Sequence, residues 1–349
     1  MRGLLRSLSS FVNDIMKRLA YILLCFPLFT AVSVSAQQKK LAQTAMKFLS
    51  VSVSPRAAGL GDALTAIEHG SASLFYNPSG MAWQESNIDV NIGQTQWIAE
   101  IDYSAGSLSF RPGSGRLGVI GFSFLMVDYG VLEETIRFDN EDGFLDLGTF
   151  SPSAWSFGVG YARTLSDRFS VGAHFKLANQ FLANSVSRVT GPDEYERDKV
   201  EERVLAYDFG VLYKTGFRSL NFAVSARNFA PEITFSEESV ALPLTLNIGV
   251  SMNMMDLIDQ GSSSHQLLFS VDASNPRDFS EQIKIGTEYV FLNTFILRTG
   301  YVFPTDEQGV SFGLGLKQSL RRFGFGADYS YTDFGILSNV QRLAIRFSL

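Results

Sequence analysis

From Asn87 to the last residue, apolar and polar side chains alternate with a period of two, the spacing of β-strands whose two faces meet different surroundings. Ile88, Val90 and Ile92 interleave with Asn87, Asp89 and Asn91. In 154–164 the contrast is sharper. Trp155, Phe157, Val159 and Tyr161 share one face, and Ser156, Gly158, Gly160 and Ala162 the other. After the stretch at Asn87, the pattern returns at 101–111, 117–127, 154–164, 169–181, 204–214 and 220–228. It continues at 244–254, 266–272, 282–291, 295–303, 310–317, 323–331 and 340–349. The pattern predicts about fourteen strands, most near the ~9–11 residues that a tilted strand needs to cross a bilayer. Strands of soluble proteins are usually about 5–6 residues long.

The connections alternate as well. Short links at 111–116, 165–168, 215–219, 292–294 and 318–322 fall between longer ones at 128–153, 183–203, 229–243, 274–281, 304–309 and 332–339. Outer-membrane barrels show this alternation, with short periplasmic turns and long outside loops. It breaks once, at 255–265, where a turn is expected and eleven residues stand. The predicted fold is therefore all-β, a transmembrane antiparallel barrel over 87–349. Paired glycines on the small-residue face (Gly158 and Gly160, Gly313 and Gly315, Gly324 and Gly326) leave room for something inside. Trp97, Tyr103, Tyr129, Trp155, Tyr289, Tyr301, Tyr329 and Tyr331, near strand ends, are expected in interfacial girdles. Leu343, Ile345, Phe347 and Leu349 give the terminal strand one apolar face, like the signal read by barrel-assembly machinery.

Ahead of the strands, Pro55 to Trp83 is rich in Gly and Ala and ends on Asn77-Pro78-Ser79-Gly80, strong turn chemistry. A lumen of about fourteen strands is too wide for wall side chains to fill, since eight already give an interior just wide enough to be packed. Residues 37–86 are therefore expected to form a plug, with 55–83 inside the barrel. Arg56 and Asp62 would then need polar or charged partners on the inner face, because unpaired buried charge is costly.

Two blocks of this segment carry a resemblance. Arg56-Ala57-Ala58-Gly59-Leu60-Gly61-Asp62-Ala63, followed by Ser73-Leu74-Phe75-Tyr76-Asn77-Pro78-Ser79-Gly80-Met81-Ala82, is similar to the N-terminal signature of the PorV/PorQ family. Those are outer-membrane barrels related to the FadL-type hydrophobic transporters, and many belong to the type IX secretion system. Members usually carry Ala between Asn-Pro and Gly, so Ser79 is a mild departure. The resemblance marks Arg56, Gly59, Gly61, Asp62, Asn77, Pro78 and Gly80 as the plug motif. It implies a FadL-like barrel in the outer membrane of a Gram-negative, Bacteroidetes-like cell. It also implies an accessory role in type IX secretion, binding or shuttling secreted cargo, with secretion components or secreted proteins as partners. The alternative is a FadL-like channel for hydrophobic small molecules, with a lipid-like ligand entering near Phe150, Phe229 and Phe235.

Composition agrees with a membrane barrel. Of 349 residues 46% are hydrophobic and 18% charged, with 30 Gly and 30 Phe. A mean hydropathy of +0.08 is too low for a bundle of membrane helices, whereas in a barrel only alternate residues face lipid. Met16-Lys17-Arg18 and the apolar run to Val34 read as a secretory signal peptide over 1–36, cleaved after Val34-Ser35-Ala36 to leave Gln37 first. Translation starts at Met16, or else residues 1–15 extend the charged region. The one cysteine, Cys25, lies inside this signal, so the mature chain is expected to hold no disulfide and no cysteine metal site.

Loss of 1–36 takes four of 29 bases (Arg2, Arg6, Lys17, Arg18) and one of 35 acids (Asp14), leaving a net charge of −9, which argues against nucleic acid. His69, His174 and His265 stand apart without metal-ligand spacing. Asp139-Asn140-Glu141-Asp142-Gly143 hints at Ca²⁺ but misplaces its acids for an EF-hand. No nucleophile elbow, phosphate loop or dinucleotide fingerprint occurs. Neither catalysis nor a cofactor is expected.

Overall fold

The computed structural model describes residues 44–139, 141–191, 194–235, 238–258, 264–320 and 322–349. The expected signal peptide, its cleavage site and Gln37 lie outside the described residues. The strands are β1 (Ile88–Gln96), β2 (Asp102–Phe110), β3 (Val119–Asp128), β4 (Leu132–Arg137), β5 (Phe144–Phe150) and β6 (Ser153–Thr164). Next come β7 (Phe169–Gly191), β8 (Glu194–Lys214), β9 (Asn221–Phe229), β10 (Ile233–Phe235), β11 (Glu238–Val240) and β12 (Thr245–Asn253). The chain ends with β13 (His265–Pro276), β14 (Gln282–Phe291), β15 (Phe295–Phe303), β16 (Ser311–Leu320), β17 (Phe323–Asp333) and β18 (Asn339–Ser348).

Fourteen of these strands close one antiparallel barrel, in the order β1-β2-β3-β6-β7-β8-β9-β12-β13-β14-β15-β16-β17-β18 and back to β1. The seam joins first strand to last, with Val90 opposite Phe347 and Ile92 opposite Ile345. Closure leaves no strand edge unpaired within hydrocarbon, which a membrane requires. Among the described residues no helix is long and apolar enough to cross a bilayer.

Burial is inverted relative to a water-soluble sheet. On β6 Phe157, Val159 and Tyr161 are exposed, while Ser156 is 4% exposed and Ala154 2%. Along the wall, Ser, Asn and charged residues point inward and the large apolar residues point out, the arrangement of a barrel in lipid. Leu343, Ile345 and Phe347 lie on this outward face of β18.

Three expectations need correction. Residues 183–203 are not a loop: β7 and β8, at 23 and 21 residues, run on as one paired hairpin well beyond the wall. Their apolar alternation stops near Phe181 because a ribbon in water needs no greasy face. The other long connections hold smaller hairpins, β4–β5 within 128–153 and β10–β11 within 229–243. Second, the overlong turn after β12 begins with a short helix, Met255–Ile258.

Third, part of the aromatic girdle faces inward. Tyr103 is 3% exposed and lies with Met46, Phe48 and Leu49 in an apolar cluster, against which Trp97 and Tyr129 pack. Tyr301, Tyr329 and Tyr331 are on the outward face as expected.

Candidate functional site

The lumen holds the segment that precedes β1. It starts at the long-loop end, where Thr44 bridges to Ala241 and Thr44 Oγ1 donates to Asp278 Oδ2 at 2.9 Å. Lys47 forms an ion pair with the same carboxylate. The segment then descends to the short-turn end, where Trp83 Nε1 donates to Ser170 Oγ at 2.9 Å. Pro55 sits in the first turn of the short helix Pro55–Gly59, where its missing N–H is no loss. That helix lies against β15, β16, β17 and β18.

The motif residues divide between close backbone approach and polar clamps. A Cβ on Gly59 would sit 3.0 Å from Gly313 Cα. Gly61 has φ +59° and lies so close to β15 that a Cβ would stand 2.6 Å from Tyr301 N. Only glycine meets both demands at that position. The inner glycines of the wall are filled in the same way: Gly286 and Gly300 by Leu60, Gly160 by Leu74, Gly172 by Pro78 and Gly210 by Asn77.

Asn77 caps the turn Pro78–Trp83, its Oδ1 accepting from Ser79 N at 3.1 Å and Ser79 Oγ at 2.7 Å. Its Nδ2 donates to Thr65 O at 2.9 Å and to Val211 O of the wall at 3.3 Å. Gly80 N donates to Asn77 O at 3.1 Å, and a Cβ there would press on Ser73 Oγ at 3.0 Å. Asp62 accepts a hydrogen bond from Ser52 of the segment itself, and its charge faces Arg342 on the wall.

Arg56 does find its partner on the wall. Its Nε and Nη2 donate to Glu288 Oε2 at 2.9 Å and Oε1 at 2.7 Å, a two-pronged pair. Glu288 Oε2 also accepts from Arg298 Nε at 2.6 Å, and Arg298 Nη1 donates to Asp328 Oδ1 at 2.6 Å. Two guanidinium groups and two carboxylates thus alternate across β14, β15 and β17. Further round the wall, Asp89 Oδ2 accepts from Arg346 Nε at 2.6 Å, and Asp89 Oδ1 accepts from Ser71 N and Oγ at 2.8 Å. Arg342 Nε donates to Ser52 O at 2.8 Å, and Asp272 Oδ2 accepts from Thr65 N at 2.8 Å. The sequence reading missed every one of these wall residues. The signal was present: each is a charge on the small or polar face of its strand, Glu288, Arg298, Asp328, Arg342 and Arg346 beside Gly286, Gly300, Gly326 or Ala344, Asp89 between Asn87 and Asn91, and Asp272 between Ser270 and Ser274.

A second buried network crosses β3, β7, β8 and β9. Ser123 Oγ lies 2.8 Å from His174 Nε2, His174 Nδ1 lies 3.0 Å from Asp208 Oδ2, and Lys176 Nζ lies 2.8 Å from the same oxygen. Lys176 also donates to Asn228 Oδ1 at 2.6 Å, and Asn228 N to Asp208 Oδ1 at 2.7 Å. The connectivity is that of a hydrolase triad, but the cavity beside Ser123 measures about 20 Å³, room for one water. The surrounding backbone N–H groups belong to strand ladders rather than to an oxyanion site. Asn228 Nδ2 also reaches Pro243 O at 3.2 Å, so the network ties the wall to the 229–243 connection. His69 and His265 have separate partners, Ser54 and Tyr289.

At the short-turn end the segment leaves one side of the lumen open. A cavity of about 550 Å³ there is lined by Gln84, Asn293, Lys317, Arg322 and Arg346, and reaches inward to Arg56, Glu288 and Arg298. An adjoining space of about 200 Å³ shares Arg56 and Glu288 with it. This vestibule is polar, and the ion-pair cluster forms its floor.

The family model for type IX secretion system protein PorV matches residues 34–216, just over half the chain and the whole of the lumen segment. The chain belongs to the PorV family. It is an outer-membrane β-barrel of the type IX secretion kind. No curated protein matches it. Among solved structures it is similar to the CymD monoaromatic hydrocarbon channel, with a TM-score of 0.53 at 12% identity, covering 85% of this chain and 97% of that one. The toluene transporter TbuX of Ralstonia pickettii gives 0.52 at 11% identity, covering 84% and 96%. TodX of Pseudomonas putida, also a toluene transporter, gives 0.51 at 11% identity, covering 83% and 95%. These likenesses establish a FadL-like fold shared by this PorV-family barrel.

Proposed function

We propose that this PorV-family barrel serves type IX secretion as a closed docking protein, binding or shuttling secreted cargo at the outer surface of a Bacteroidetes-like cell. The observation that carries this reading is the lumen segment, pinned to the wall by the Arg56–Glu288 pair while the β7–β8 hairpin stands clear of the barrel. A sealed lumen suits a protein whose work lies outside, and loops on a rigid scaffold commonly carry recognition. No catalytic step and no cofactor belong to this role. Affinity purification from outer membranes tests it. Secreted proteins or secretion components are expected with the full chain and are expected to be lost when 183–200 is shortened to a tight turn. Equal recovery with both chains would contradict the reading.

A second reading, a conduit for apolar small molecules, is favoured by the lining of the cavity beside Ser123, which includes Leu49, Val51, Val53, Leu74, Phe75 and Leu125. At about 20 Å³ that cavity admits no hydrocarbon ligand unless the segment moves. Lipid extracted with the purified barrel, and absent after Leu49→Trp fills the site, would support this alternative.

A further inference from the structure

One rim of one arc of the wall is basic. The arc runs through β2, β3, β6, β7, β8 and β9, neighbours in the barrel joined at one end by three short turns. Each of those turns sets an arginine beside a projecting apolar side chain. Arg116 adjoins Leu117, which is 66% exposed; Leu165, 61% exposed, precedes Arg168; and Phe217, 59% exposed, adjoins Arg218. Arg163 continues the outward row of β6 after Phe157, Val159 and Tyr161, so it leaves the apolar belt on the lipid side. Asp167 is the exposed acid among these turn residues. Arg116, Arg163 and Arg168 form no ion pair among the described residues. At the far rim of the same arc Asp102 stands directly opposite Asp128, while the outward row of β8 runs on to Arg203, so that rim is mixed in charge.

An apolar side chain at the edge of the hydrocarbon, with a guanidinium beside it, is the pairing that places a residue between acyl chains and phosphates. The apolar residues are spread one to a turn around the circumference, continuous with the lipid-facing belt, rather than gathered in one patch as a protein partner would need. Short turns of outer-membrane barrels face the periplasm. We infer that the short-turn rim of the β2–β9 arc is a docking surface for anionic phospholipid headgroups of the periplasmic leaflet. This inference rests on the membrane-spanning barrel and is independent of any cargo.

The test uses the full mature chain in vesicles of equal phosphatidylglycerol and phosphatidylcholine, each lipid in turn carrying a spin label on its acyl chain. The fraction of label held immobile at the protein gives the relative affinity. The expected preference for phosphatidylglycerol is about threefold or more at low salt, falling toward unity in 1 M salt, as attraction of basic residues to an anionic surface requires. The triple variant Arg116→Gln, Arg163→Gln, Arg168→Gln is expected to lose it, and the same three positions as Lys to keep it. Arg137→Gln, Lys199→Gln, Arg203→Gln, at the other end, is expected to leave it unchanged. Boiled and unboiled migration on a denaturing gel verifies that each variant is folded. No preference in the wild-type barrel, or an equal one in the triple Gln variant, overturns the inference; so does a rim that captures an acidic periplasmic protein without preferring either lipid.

Discussion

The two ends of the lumen are closed by opposite chemistry. Toward the long loops, Met46, Phe48, Leu49 and Val53 of the segment meet Tyr103, Leu125, Val127 and Val204 of the wall, and the space is packed with side chains. Toward the short turns, beside β13 to β18, the segment withdraws and a cavity of about 550 Å³ opens, floored by Arg56, Glu288, Arg298 and Asp328. Apolar packing seals by excluding water and tolerates small shifts. Alternating charges seal by direction, since each group is satisfied only with its partners in place. The contrast teaches that this segment is a latch at one end and a stopper at the other.

Substitutions at each end should separate these roles, beginning with the most damaging. Glu288→Leu leaves two buried guanidinium groups without their shared carboxylate, a loss of about 3–5 kcal/mol. It should lower the temperature at which the barrel loses its fast-migrating form on a gel, and it should produce brief conductance bursts in planar bilayers. Phe48→Ala, at the packed end, should cost about 3–4 kcal/mol through the cavity it leaves. Because neighbours can relax into that space, it should produce fewer bursts than Glu288→Leu at matched loss of stability. The reverse ranking would undo the division between latch and stopper.

Gly61→Ala should cost about 1–3 kcal/mol, from a left-handed residue that gains a Cβ and from contact with the backbone of Tyr301. The same gel assay reads it, with Gly326→Ala as a control, whose Cβ would meet nothing closer than 3.6 Å. Smallest of all is Glu134→Gln. It removes a partly exposed ion pair with Arg197 between two outer hairpins, so about 1 kcal/mol or less should be lost and conductance should stay at the wild-type level.

How much of this was legible depends on what each residue faces. The barrel was, because hydrocarbon enforces an apolar residue at every second position, as in Phe157, Val159 and Tyr161. The extended β7–β8 hairpin was not, since beyond Phe181 that enforcement ends. Tyr103 was misplaced among the girdle residues although it shares a face with Ala105 and Ser107, a parity that already pointed inward. Arg56 could be given the need for a partner but not the partner itself, for Glu288 lies 232 residues away and nothing local links the two. Asp62 is a mixed case, a charge that faces Arg342 on the wall but takes its hydrogen bond from Ser52, ten residues before it.

The central claim is that the segment closes the lumen, and conductance in planar bilayers tests it most directly. The intact barrel should show no steady current, whereas the chain lacking 55–80 should open large, stable channels whose conductance rises with salt concentration. A deletion variant that folds, as its gel mobility would show, yet conducts no more than the intact protein would contradict the account.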